Sequence, residues 1–134
     1  MSYGYKKRVS MGYEDALTRT KEELQKQGFG VLTEIDVKAT LKKKLSVDFD
    51  NYTIIGACNP PLAYHALQVE RDIGLLLPCN VIVYDMKGET YVSAIVPSVA
   101  MSMVENEELS SVAIEAEQKL ERVIDAIAAV PVNT

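Results

Sequence analysis

Apolar residues recur along this chain at two spacings, and the changes between them divide it into strands and helices. Ser2 to Val9 reads as a strand. From Tyr13 to Gln27 the spacing changes: Ala16, Leu17, Thr20 and Leu24 recur as they do on the inward face of a helix. Gly28 stands just past that stripe, where glycine takes the left-handed conformation that closes a helix, and Phe29 is placed to pack back on it. A second strand is expected over Gly30 to Val37. In Ala39 to Leu45 the residues Leu41 and Leu45 are four apart, which fits either a short helix or an irregular crossing.

Tyr52 to Cys58 follows as a buried strand, β-branched and aromatic near its start and small near its end, so that end leaves room for another group. Asn59-Pro60-Pro61 then starts a helix. Asparagine accepts from the first unpaired backbone N–H groups, and proline lacks only a donor that the first turn does not use. Leu62, Ala66, Val69 and Ile73 line one face, with Gly74 placed to stop the helix before the core-bound run Leu75-Leu76-Leu77-Pro78. Asn80 to Asp85 and Thr90 to Val96 flank a turn containing Lys87-Gly88 and form a hairpin. Pro97 ends its second strand, a loop passes through Met101 and Met103, and a last helix over Glu107 to Ala129 starts from a cap at Asn106. Its stripe, from Leu109 and Val112 through Ala116 and Leu120 to Ile127, is wide enough to cover a sheet face or a partner helix, with the sheet the expected choice. No internal repeat and no linker interrupts this order. It predicts a single α+β domain over residues 1–134, with one antiparallel-rich sheet of about five strands packed with helices.

Composition narrows the function classes. Hydrophobic residues at 48% and charged residues at 25% are ordinary globular proportions, and a net charge of -5 argues against general nucleic-acid binding, which needs a clustered positive surface. Lys6-Lys7-Arg8 and Lys42-Lys43-Lys44 are read as solvated faces. No apolar run approaches the roughly eighteen residues of a membrane span, and the N-terminus has no apolar signal core, so no membrane association and a cytoplasmic setting are expected. With one histidine, His65, and no Cys-x-x-Cys pair, no metal site is signalled. No glycine-rich phosphate loop is present, and nothing calls for a cofactor. His65 shares a side with Gln68 and Asp72 and reads as an exposed polar residue.

The constellation that stands out is Gly56-Ala57-Cys58-Asn59-Pro60, which puts a thiol where a strand meets a helix start. Unpaired N–H groups and the helix dipole there stabilise a thiolate, and the glycine and alanine let a ligand approach the backbone. The alternative is that Cys58 is a small buried hydrophobe closing a crowded strand end. Cys79-Asn80 echoes Cys58-Asn59 at the start of the next strand; the two thiols share one end of the sheet if these strands run antiparallel and lie at opposite ends if they run parallel.

Three stretches together, Gly28 to Val37, Ile55 to Pro60 and Leu76 to Val81, resemble the family called domain of unknown function 302 in order and spacing, and the resemblance extends over almost the whole chain. It implies a β-α-β(4)-α architecture similar to the TATA-binding-protein-like fold class, and a homodimer, but no reaction. The positions that match its motifs are Glu34, Asp36, Lys44, Cys58, Asn59, Pro60, Pro78 and Cys79. The leading expectation is a small-molecule or anion site near Cys58-Asn59-Pro60, with Lys44 or Glu34 contributing from adjoining segments. Two others stand beside it: a thiol enzyme or redox sensor with Cys58 as nucleophile and Cys79 as resolving partner, and a homodimeric interaction module using the C-terminal helix.

Overall fold

At Lys87-Gly88 both residues have positive φ, 52° and 79°, the backbone of a two-residue hairpin whose twist matches its flanking strands. The turn joins β4 (Cys79–Met86) to β5 (Glu89–Ile95), and the pairing runs from Met86 opposite Glu89 to Val81 opposite Ala94. A computed structural model describes residues 2–131. The other elements are β1 (Gly4–Val9), α1 (Tyr13–Lys26), β2 (Gly30–Asp36), α2 (Val37–Leu45), β3 (Tyr52–Cys58), α3 (Pro60–Val69), a 3-10 helix (Arg71–Leu76), α4 (Pro97–Ala100) and α5 (Glu108–Ala128). All strands pair antiparallel, in the order β1-β5-β4-β3-β2. This is the expected α+β class, with α2 and α3 inserted among the last four strands.

The inward positions of the strands carry Ile55, Val81, Val83 and Val92, which pack against Leu24 of α1 and Leu120, Ile124 and Ile127 of α5. The end of α1 shows how local sequence fixes that packing. Gly28 has φ 83°, its N–H donates to the Gln25 carbonyl, and Phe29 N–H reaches back to the Leu24 carbonyl; this closes the helix and drops Phe29 into the core beside Leu24.

The inward residues of α5 are those of the sequence stripe, divided between two cores. Its C-terminal half covers the sheet, while Leu109, Val112 and Ala113 join Ala66, Ile73 and Met101 in a second cluster under α3. The C-terminal helix therefore buries its apolar stripe within its own chain, the expected choice of sheet cover over a partner helix.

Two expectations are corrected. The helix from Pro60 does not run to Gly74. It stops at Val69 because Glu70 is extended (φ -148°, ψ 99°) and the side-chain amide of Asn106 donates to the Val69 carbonyl at 2.7 Å and to the Glu70 carboxylate at 3.1 Å. Ile73 is still buried, but it belongs to the 3-10 turn, and Gly74 has no positive φ. The segment through Met101 is not simply a loop: Pro97 opens the one-turn α4, and Met101 is buried while Met103 is exposed. Asn106 lies one residue before the cap position of α5, Glu107, and its side-chain oxygen accepts from Glu108 N–H, the first residue of the helix, at 3.0 Å.

β2 and β3 come very close at Gly56. A Cβ there would collide with the Thr33 hydroxyl and lie 2.9 Å from Pro78 Cγ. The glycine thus admits this chain's own Thr33 and Pro78 rather than a ligand. Gly56→Ala is predicted to cost about 1–3 kcal/mol of stability by overpacking. Thr33→Ala in the same chain should restore part of the loss, because the hydroxyl is the nearer obstacle; urea unfolding of the single and double variants measures both.

Candidate functional site

Antiparallel β3 and β4 put Ala57 opposite Cys79, so both thiols lie at one end of the sheet. Beyond that end the chain turns through Asn59 into α3. Asn59 is buried, with both side-chain heteroatoms engaged: Oδ1 accepts from Leu62 N–H at a long 3.5 Å, and Nδ2 donates to the Gln27 carbonyl at 3.3 Å, which ties the start of α3 to the end of α1. Pro60 and Pro61 carry no N–H, and Ala63 N–H donates to the Asn59 carbonyl at 2.9 Å. Every donor of the first turn is therefore absent or taken, and the helix start offers nothing to an anion or a thiolate.

What the junction does border is an apolar cavity of about 330 Å³, open to solvent on one side, between the sheet end, α3 and α5. Ala57, Cys58, Pro78 and Cys79 line it from the sheet, Leu62, Ala63, Ala66 and Leu67 from α3, and Val112, Ala113 and Ala116 from α5. The space exists because five of these inward positions are alanine. A β-bulge contributes one more residue: Val31 pairs with Ala57 and Thr33 with Gly56, so Leu32 is the unpaired extra residue, and it joins the cavity lining from the edge strand while remaining 65% exposed. The volume is about twice that of a ~150 Å³ protein cavity known to hold benzene, and lies at the small end of ligand pockets.

The thiols have different surroundings. Both are free; Cys58 is half-buried, and Cys79 is buried. Burial first, and a charge at neighbouring Cys58 second, push the Cys79 thiol up to about 11. A thiol held protonated at neutral pH is a poor resolving partner.

The other sequence candidates do not converge on the cavity. Glu34 forms an ion pair with Lys21 of α1 at 2.7 Å. Asp36 accepts from Ala39 N–H at 2.9 Å and so caps α2. Lys44 lies exposed in the last turn of α2. His65 is exposed on α3, and among the described residues no group of three or more His, Cys, Asp or Glu side chains is placed to hold a metal ion. Cys58 and Asn59 line this cavity together with Ala63, Ala66, Ala113 and Ala116, which the sequence did not single out and whose signal was alanine at inward helical positions where leucine fills most cores.

Comparison with known proteins agrees with this architecture. The family model described as "Domain of unknown function DUF302" matches residues 5–127. A crystal structure of an uncharacterized conserved DUF302 protein from Bacillus stearothermophilus superposes with a TM-score of 0.90 at 30% identity, over 95% of this chain and 99% of that one. No curated protein matches the sequence.

Two outcomes follow from the site geometry. Iodoacetamide should label half-buried Cys58 first, while Cys79 in the folded protein reacts only as pH approaches about 11. Mass spectrometry of each thiol separates them, and equal rates at pH 8 would contradict the burial argument. The linkage has a definite sign: a folded-state value above the ordinary 9.0 contributes stability that is complete below pH 9 and is lost as pH rises toward 11, a loss that Cys79→Ala should remove. Asn59→Ala should cost about 1 kcal/mol or more in thermal or urea unfolding, since it removes the α3 cap and the tie to Gln27.

Proposed function

This chain belongs to the DUF302 family, whose function is not established, and we propose that it binds a small apolar molecule in the cavity beside Cys58, Asn59 and Pro60. The observation that carries the reading is an alanine-walled cavity whose only side-chain amide, that of Asn59, is already engaged. The pocket opens to solvent past Leu32, so its apolar lining stays in contact with water until an apolar occupant covers it. Water inside it finds few polar partners on these walls and is readily displaced by an apolar group. An apolar occupant removes the lining from water and fills the space.

The same absence of free donors weighs against an anion as the ligand. Lys44 and Glu34 act in this reading only from outside the cavity. The thiol alternative keeps Cys58 as its nucleophile, at the cavity wall, but lacks an evident activating group. No helix of the described residues is long and apolar enough to cross a membrane. We place the protein's work in the cytoplasm, where both thiols stay reduced, as one domain in a homodimer.

Naphthalene and decanol serve as probes of the right size. Each is expected to bind and to raise the melting temperature, with decanoate weaker because no donor receives its carboxylate. Ala63→Leu and Ala116→Leu, which fill the cavity from opposite walls, should each reduce probe affinity at least about tenfold while leaving the fold intact or up to ~2 kcal/mol more stable. Calorimetric titration reads the affinity. Probes that bind both filled variants as well as the wild type, or bind none of the proteins, would sink the reading.

A further inference from the structure

Three hollows of this chain meet at one side chain. The apolar cavity of the proposed site, an adjoining hollow of about 240 Å³ and a wider cleft of about 560 Å³ have a single lining residue in common, Met101. It stands just past α4, in the connection from β5 to α5, and it is buried, as only Pro97 is besides it between Ile95 and Glu108. The backbone of this connection is tied down on both sides. Ser98 N–H donates to the Glu117 carboxylate at 3.1 Å, Met101 N–H to the Pro97 carbonyl at 2.9 Å, and the Asn106 amide to the Val69 carbonyl at 2.7 Å. What is free to rearrange there is the Met101 side chain, unbranched and with three rotatable bonds.

The two spaces that adjoin the site differ in chemistry. The hollow is bounded by Leu76, Leu77, Ile95, Pro97 and Ala100, with Asn80 as its one polar side chain. The cleft presents Ser98, Ser102, Ser110, Glu105 and Glu107, which an apolar group would have to strip of water without giving them a partner. An apolar molecule that outgrows the site is therefore directed to the hollow. Four residues stand between the two: Leu77, Pro78, Cys79 and Met101. Proline is a fixed ring, Cys79 has a short side chain held in β4, and Leu77 directly precedes the proline, so Met101 is the member with both reach and freedom. Its side chain has an apolar place to go, toward Val104 and Leu109 on the cleft wall.

We propose that Met101 is a movable partition between the site and this hollow, and that the molecule held is a single unbranched chain, entering past Leu32 and passing Met101 toward Ile95 and Pro97. The inference rests on the apolar-cavity reading above and gives that reading a ligand class. A polycyclic or branched molecule fills the first cavity but is too wide for a gap opened by one side chain, whereas a run of methylenes follows it. Met101 thus sets the length of chain accepted. The displaced thioether trades one apolar surface for another, and the chain takes over the contacts it leaves.

Calorimetric titration of the full chain with octanol, decanol and dodecanol tests this. In the unaltered protein each added methylene should tighten binding about fourfold, and the gain should continue through dodecanol. Met101→Phe replaces the thioether by a rigid ring; there the gain should end at decanol, so that the preference for dodecanol over decanol falls from about sixteenfold to near parity. Met101→Ala removes the partition and should keep that preference. A second readout needs no altered protein: the methyl resonance of Met101, assigned by its loss in the volume-conserving Met101→Leu, should move further with dodecanol than with octanol. A gain that ends at decanol in the unaltered protein, an equal gain in Met101→Phe, or a Met101 methyl that responds alike to both alkanols overturns the partition and leaves the cavity reading in place. Alkanols that bind none of the proteins overturn both.

Discussion

The antiparallel register that sets Ala57 opposite Cys79 is the constraint on which the rest of the candidate site depends. It brings the end of β3 and the start of β4 to the same edge of the sheet, so the chain leaving β3 and the chain entering β4 border one space. The hairpin at Lys87-Gly88 holds the far end of β4, and Gly56 lets Thr33 and Pro78 close on β3. With the strand ends fixed, α3 must cross from one to the other above them, and α5, whose lower half is committed to the sheet, must meet α3 with its upper half. The cavity is the gap left where these three directions meet and the residues at the junction are alanines.

Two cores rather than one follow from the same geometry. The sheet core is closed by α1 and α5 with large residues at full burial, while the second cluster, under α3, is smaller and borders the cavity. Asn59 and Asn106 connect the pieces. Each uses its side chain on backbone groups of a different element, Asn59 between α3 and the end of α1, Asn106 between α5 and the end of α3. A polar residue of this kind looks like a ligand-binding group in the sequence and serves as a brace in the fold, because buried backbone carbonyls at helix ends require donors.

The sheet is asymmetric. On β3–β5 the inward side carries Ile55, Val81, Val83, Val92 and Ala94, fully covered, while the outward side carries rows of isoleucine and tyrosine, none of them buried, that the register aligns across strands. Aromatic pairs at cross-strand positions stabilise the sheet itself, which accounts for part of the tyrosine row. It does not account for α2, none of whose residues is buried.

Local sequence determined what depends on neighbours along the chain: the closing of α1 at Gly28, the hairpin at Lys87-Gly88, the start of α3 at Asn59-Pro60, and the inward stripe of α5, since each is decided by backbone conformation or by the helical period. It did not determine where α3 ends, because Ile73 keeps the helical spacing while the interaction that stops the helix comes from Asn106, thirty-seven residues past Val69. Nor did it determine that the two thiols share an end, which follows from strand direction, or that Glu34, Asp36 and Lys44 stay away from them, which follows from the β2–β3 register: Gly30 lies opposite Cys58, so the chain through Glu34 to Asp36, opposite Thr53, runs toward the other end. The cavity is the clearest case. An alanine is neutral in sequence, and only when three elements bring their alanines to one point does the missing volume become a property of the protein.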